Sequence, residues 1–275
     1  MDIVLAIVVL AITGIGVGFA GGLLGVGGCF IMVPVQIWVF TAMGVPLDIA
    51  VKMAFGTNLL VVLPTAMSGA YGHTKRGVVW WRAAVVLGLV GAFGCFIGAT
   101  IAAQLPGALL KFIFGAAIFI GGVRMLTAKP IKVEEEPRDS LLLWAAWGFP
   151  MGILTGIIGI GGGILMIPVM VLALKFKMHN AVGTSTAMMI FTSMGGALGY
   201  MLNGLSVPAL PAYSLGYVNL LAWLALAATS IPMAQVGVMA AHRLPAKKLR
   251  YVFIVVMLYI ALKMMGVFSY LGLPL

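Results

Sequence analysis

The chain is expected to fold as an all-α polytopic membrane protein of two inverted repeats, each a glycine-broken helical hairpin followed by three transmembrane helices. Three observations carry this. Only 8% of the 275 residues are charged and 63% are hydrophobic, whereas a soluble domain carries about 25% charged residues. A glycine-rich motif occurs twice inside long apolar stretches. The basic residues gather at the ends of apolar blocks, where one arrangement of the chain puts nearly all of them on one side.

The duplicated motif reads GFAGGLLGVGGCFIMVPV at 18–35 and GILTGIIGIGGGILMIPV at 152–169. Aligned without a gap, it pairs Gly18 with Gly152, Gly22 with Gly156, Gly25 with Gly159, Gly27 with Gly161, Gly28 with Gly162 and Pro34 with Pro168. A second match sets 55–72 against 182–199, pairing Gly56 with Gly183 and Thr57 with Thr184. The repeats are placed at 1–128 and 141–275, joined by a charged cytoplasmic linker at 129–140.

Each repeat has four apolar blocks: about 3–42, 50–72, 79–104 and 108–127, then 141–174, 180–202, 213–240 and 246–270. The last three of each suit single helices, since a crossing takes about 20 residues. The first is too long for one crossing and is broken by glycines. If it crosses once, the repeats run parallel and the basic residues divide almost evenly. If it folds into two arms, the repeats are inverted. One side then receives Lys75, Arg76, Arg82, Arg124, Lys129, Lys132, Arg138, Lys175, Lys177, Arg243, Lys247, Lys248 and Arg250, which are 13 of the 16 Lys and Arg. The positive-inside rule selects the second arrangement. Both termini and 43–49 are then extracytoplasmic, while 73–82, 129–139, 175–179 and 243–250 are cytoplasmic. The first segment, MDIVLAIVVLAITG, lacks the basic start of a signal peptide and reads as part of the mature protein.

The 34 residues of 141–174 allow two arms of about 25 Å each, somewhat short of a hydrocarbon core of about 30 Å. Irregular backbone at that depth persists only inside protein or along a cavity. The tips 21–28 and 156–163 fit that condition. Their glycines permit sharp turns and close approach of a ligand to the amides. The second arm starts there, so free N–H groups and a positive dipole end face the interior and form a ready anion site. For Gly18, Gly22, Gly152 and Gly156 the expected role is close helix packing. For Gly25, Gly27, Gly28, Gly159, Gly161, Gly162 and Gly163 it is proximity to substrate. Gly56, Thr57 and Asn58, with Gly183, Thr184, Ser185 and Thr186, put neutral donors at matching places in both repeats. Two readings stand for the hydroxyls: contact with an oxyanion, or back-bonding to the preceding turn. Asn58 favours the first, because its amide is harder to satisfy locally. Gln36, Lys52 and Thr186 form a second tier.

All six acidic residues lie outside the middle of any block, which disfavours a cation or proton path built on intramembrane carboxylates. Asp48 and Lys52 read as an i,i+4 pair. Cys29 and Cys95 read as small buried hydrophobes. The three histidines, and Trp80, Trp81, Trp144, Trp147 and Trp223, read as interfacial. Nothing resembles a catalytic triad, a metal site or a P-loop, so no enzyme and no cofactor is expected.

The G-x-G-G motif followed by an apolar run and Pro-Val, with G-T-N or G-T-S after it in each repeat, resembles the TauE/SafE family of sulfite-exporter permeases over nearly the whole chain. The resemblance implies a secondary transporter of small sulfur-containing anions, such as sulfite, sulfoacetate or other organosulfonates, in the cytoplasmic (inner) membrane. The expected partners are that anion, or another small organic anion, and membrane lipids, with no nucleic acid. Homo-oligomerisation stays open, and so does a passive anion channel. The repeats differ at Asn58 against Ser185 and at Cys29 against Gly163, so the half-sites need not be equivalent.

Overall fold

The computed structural model describes residues 1–24, 28–127, 139–208, 210–240 and 246–267. Among these residues ten helices run in order: α1 (Ile3–Leu24), α2 (Cys29–Ala42), α3 (Leu47–Thr74), α4 (Trp81–Gln104), α5 (Gly107–Thr127), α6 (Leu141–Ile158), α7 (Gly163–Leu172), α8 (Met178–Gly204), α9 (Leu220–Ala240) and α10 (Ala246–Met264). A two-residue ribbon, β1 (Ser214–Leu215) with β2 (Val218–Asn219), precedes α9. This ribbon was not anticipated. It forms at Gly216, whose φ of +56° closes the turn.

Among the described residues six helices are long and apolar enough to cross a membrane: α1, α3, α4, α5, α6 and α9. α8, with 27 residues, is about 40 Å long and can also cross; its Gly183–Thr186 run makes it less apolar. Large apolar side chains such as Phe93, Ile120, Leu142 and Val255 are exposed around the outside, which needs lipid as solvent. The polar residues Thr57, Asn58, Thr184, Ser185 and Gln36 are buried.

Both first blocks are broken in two. The Met1 ammonium donates to the Ala42 carbonyl at 2.7 Å, so the base of α1 meets the end of α2. Gly28 lies against Val17, where a Cβ would stand 2.5 Å from the Val17 oxygen. α2 therefore lies back along the lower part of α1, and α1 continues beyond Val17 to Leu24. With 14 and 10 residues, α2 and α7 are about 21 and 15 Å long and cannot cross alone. The arms are unequal, unlike the even division expected, because each first arm keeps its helix up to the glycines. Gly28 and Gly162 start the second arms in the left-handed region, at φ +64° and +105°.

The two halves exchange hairpins. α1 packs along α9 and α6 along α4. α3 and α8 run antiparallel at the centre, with Gly56 against Tyr200 and Gly69 against Thr186. One end of the bundle gathers Met1, Ala42, Asp48, Gly107 and the ribbon. The other gathers 74–82, 139–144 and Phe176, through an Arg82–Asp139 ion pair at 3.1 Å and rings of Trp80 against Trp144 and Phe176. Trp144 is fully buried in that cluster, and His73 is buried at the end of α3. Both lie at that end of the bundle but are covered by protein; Trp144 is packed against Trp80 at the start of α4. Of the linker 129–140, only Asp139 and Ser140 lie among the described residues; Ser140 caps α6, accepting from Leu143 N.

Candidate functional site

The second tip, 159–163, is lodged between α3 and α8. Gly159 and Gly161 have φ of +70° and +78°, so the tip needs glycine for its backbone as well as for space. Its three successive carbonyls are each taken by a side chain from a different helix. Asn58 Nδ2 of α3 donates to the Gly159 oxygen. Cys29 Sγ, the first residue of α2, donates to Ile160 at 2.8 Å. Thr192 Oγ1 of α8 donates to Gly161 at 2.9 Å. Tyr200 OH of α8 donates to Gly156 just below, at 3.0 Å. The carbonyls are thereby committed to the scaffold. The start of α7 has no side-chain cap among the described residues, so the dipole end behind Gly162 and Gly163 faces the interior.

The Cys29 contact joins the two hairpins, because Cys29 follows Gly28 of the first tip. Gly25 and Gly27 lie outside the described residues. Asn58 orientation follows from chemistry: a carbonyl faces an N–H, not another oxygen. Its Oδ1 is buried without a hydrogen-bond partner among the described residues, as are both amide atoms of Gln36 and the Ser193 hydroxyl.

Other expected site residues have structural partners. Thr57 Oγ1 accepts from Asn219 N at 2.9 Å, just before α9. Thr184 Oγ1 accepts from Trp80 N at 3.0 Å, just before α4. Each threonine thus holds the start of the other half's equivalent helix. Gly56 and Gly183 make room for Tyr217 and Val78 backbone. Ser185 and Thr186 bond back to Val182 at 3.0 and 2.8 Å. Lys52 is paired with Asp48 at 2.9 Å and lies over the Tyr217 ring. Gln36 sits seven residues beyond Cys29, hence on the same face of α2. A narrow cleft between Gly21 and Gly22 of α1, Val62, Thr65 and Gly69 of α3, and Thr186 of α8 has about 10 Å³ free, room for about one water.

Thr192, Tyr200 and Ser193 were not singled out from the sequence. The aligned second match offered one signal: Thr192 pairs with Thr65 across the repeats. Ser193 pairs with Ala66 and carries no repeated signal.

A lipid-facing helical bundle whose two broken hairpins meet inside it defines a membrane transporter. The chain belongs to the TauE/SafE sulfite exporter family, whose sequence profile matches residues 10–264. It is 30% identical over 271 residues to a probable membrane transporter protein of Methanocaldococcus jannaschii, covering 98% of this chain and 97% of that one. It is 28% identical over 249 residues to a probable membrane transporter protein of Haemophilus influenzae, covering 90% and 93%. It is also 28% identical to the probable membrane transporter protein YunE of Bacillus subtilis over 218 residues, covering 73% and 80%. No solved structure matches the chain.

Proposed function

We propose that the protein is a secondary carrier for a small sulfur-containing oxyanion, such as sulfite, sulfoacetate or another organosulfonate, bound between the two tips near the membrane midplane. The observation that carries this is the Cys29–Ile160 contact at 2.8 Å, which joins the start of α2 to the second glycine-rich turn. Around it stand uncommitted N–H groups, a helix dipole and buried neutral side chains, which select an anion without a full opposing charge. The site consists of Gly25, Gly27, Gly28, Gly159, Gly161, Gly162 and Gly163 with Asn58, while Thr57 and Thr184 hold the starts of α9 and α4 and Ser185 bonds within its own helix. The sulfur chemistry rests on the family. Counterflow in proteoliposomes tests the reading: labelled sulfite or sulfoacetate should enter faster when unlabelled anion is loaded on the far side, and the flux should saturate. Flux that neither saturates nor exchanges indicates a channel and refutes the carrier.

The same proposal takes 1–128 and 141–275 as inverted repeats in a cytoplasmic membrane, supported by the antiparallel α3 and α8. Both termini then face away from the cytoplasm, following the basic residues. In a Cys29→Ser, Cys95→Ala background, where serine keeps the donor to Ile160, single cysteines at the exposed positions Ser140 and Ser206 should label from opposite sides. Ser140 is expected to react from the cytoplasm and Ser206 from outside. Labelling from one side would refute the inverted arrangement.

A further inference from the structure

We infer that Ser193 binds the substrate's oxyanion head together with the start of α7, so that the site is one-sided and the head is held at the second tip. This rests on the tip-site reading above and adds a residue to it. Ser193 is fully buried on α8, and its hydroxyl has no hydrogen-bond partner among the described residues. A helical serine or threonine ordinarily settles on a carbonyl of the preceding turn. Its neighbours do so: Thr186 on Val182, Ser185 on Val182, and Thr65 on Val61 of the opposing helix. Ser193 does not, and its Oγ lies 3.3 Å from where a Cβ on Gly161 would stand. The hydroxyl therefore faces the tip at a place that only glycine leaves open.

The tip is prepared for an acceptor-rich ligand. The carbonyls of Gly159, Ile160 and Gly161 are already bonded to Asn58, Cys29 and Thr192. What the tip still presents is the uncapped N-terminal end of α7, which attracts negative charge. A hydroxyl donor beside such an end completes a site for a ligand carrying at least two acceptor oxygens on one small head. The first repeat has no counterpart, since Ala66 stands where the second has Ser193. The ligand class is thus a compact oxyanion head, which the proposed function makes a sulfite or sulfonate, and any organic tail points away from the second tip.

The experiment measures anion-dependent thermal shift and titration calorimetry on the purified wild type, Ser193→Ala and Ser193→Thr. The probes are sulfite and sulfoacetate, with nitrate, phosphate and acetate as other oxyanions. Ser193→Ala should lose about tenfold in affinity, Ser193→Thr should keep most of it, and ligand-free Ser193→Ala should melt no lower than wild type, because an unpaired polar atom has been removed. If sulfur oxyanions fail to bind but another oxyanion binds and weakens about tenfold in Ser193→Ala, the sulfur substrate is wrong and the Ser193 assignment stands. Equal affinity in wild type and Ser193→Ala overturns the assignment. So does the absence of binding by every oxyanion, or a lower melting point of ligand-free Ser193→Ala, which would mark the hydroxyl as structural.

Discussion

Gly152→Ala is expected to cost the protein its fold. Gly148, Gly152 and Gly156 of α6 face Gly91, Gly94 and Gly98 of α4 backbone to backbone, and a Cβ on Gly152 would overlap the Gly91 carbonyl and stand 2.8 Å from the Gly91 Cα. No side chain is there to swing aside, so the helices themselves must separate. In lipid, packing of this kind is a main source of helix association, because the tails compete for apolar surface as well as any leucine does. Overpacking a core by a methyl costs about 1–3 kcal/mol, and backbone-to-backbone overlap belongs at or above the top of that range. Gly16→Ala is the matched control: it lies on α1 with nothing within 4 Å of the added carbon, and alanine favours a helix by about 1 kcal/mol over glycine. Thermal unfolding and size-exclusion in detergent should show Gly152→Ala aggregated or strongly destabilised and Gly16→Ala intact. Gly152→Ala melting with wild type would refute the packing account of α4 and α6.

Asn58→Leu should leave a folded protein that hardly transports. The substitution removes the donor to the Gly159 carbonyl and leaves that oxygen buried beside an apolar side chain. An orphaned buried acceptor costs about 1–3 kcal/mol, equivalent to about 5- to 150-fold in the population of the correctly held tip. Asn58→Asp should be as damaging, since it sets a second oxygen against the carbonyl. Ser185→Ala, at the matching place in the other repeat, should transport nearly as wild type, because Ser185 only bonds back to Val182. Initial uptake rates in proteoliposomes decide this. Normal rates in Asn58→Leu would show that the second tip holds its shape without α3.

Much of the architecture was legible in the residue order because it depends on local or periodic properties. The scarcity of charge sets lipid as the solvent. The two copies of the glycine motif mark where apolar stretches must break, and the helices do break there, at Gly28 and at Gly159–Gly162. The close-packing role of Gly18, Gly22, Gly152 and Gly156 also followed from their spacing, and all four abut backbone of the other half. Membership of the TauE/SafE family was readable from the same motifs. Which helix each glycine meets was not readable. The hairpins pack across the repeats, α1 on α9 and α6 on α4, and repetition alone allows packing within a repeat equally well.

The polar residues show the division most clearly. Thr57 and Thr184 stood out because they recur, but recurrence does not distinguish a ligand contact from a helix cap; the partners Asn219 and Trp80 lie more than a hundred residues away. The Asn58 amide is hard to satisfy locally, and tertiary contact satisfies half of it, through a carbonyl of the opposite tip. Ser193 carries no signal in the chain, since an isolated serine on an apolar helix ordinarily bonds to its own preceding turn. Composition, period and repeat determine solvent, helix and break, because each is a property of neighbouring residues. The pairing of donors with acceptors across the bundle is decided only when the helices are packed, because a hydrogen bond needs its two atoms within about 3 Å, and sequence separation says nothing about that distance.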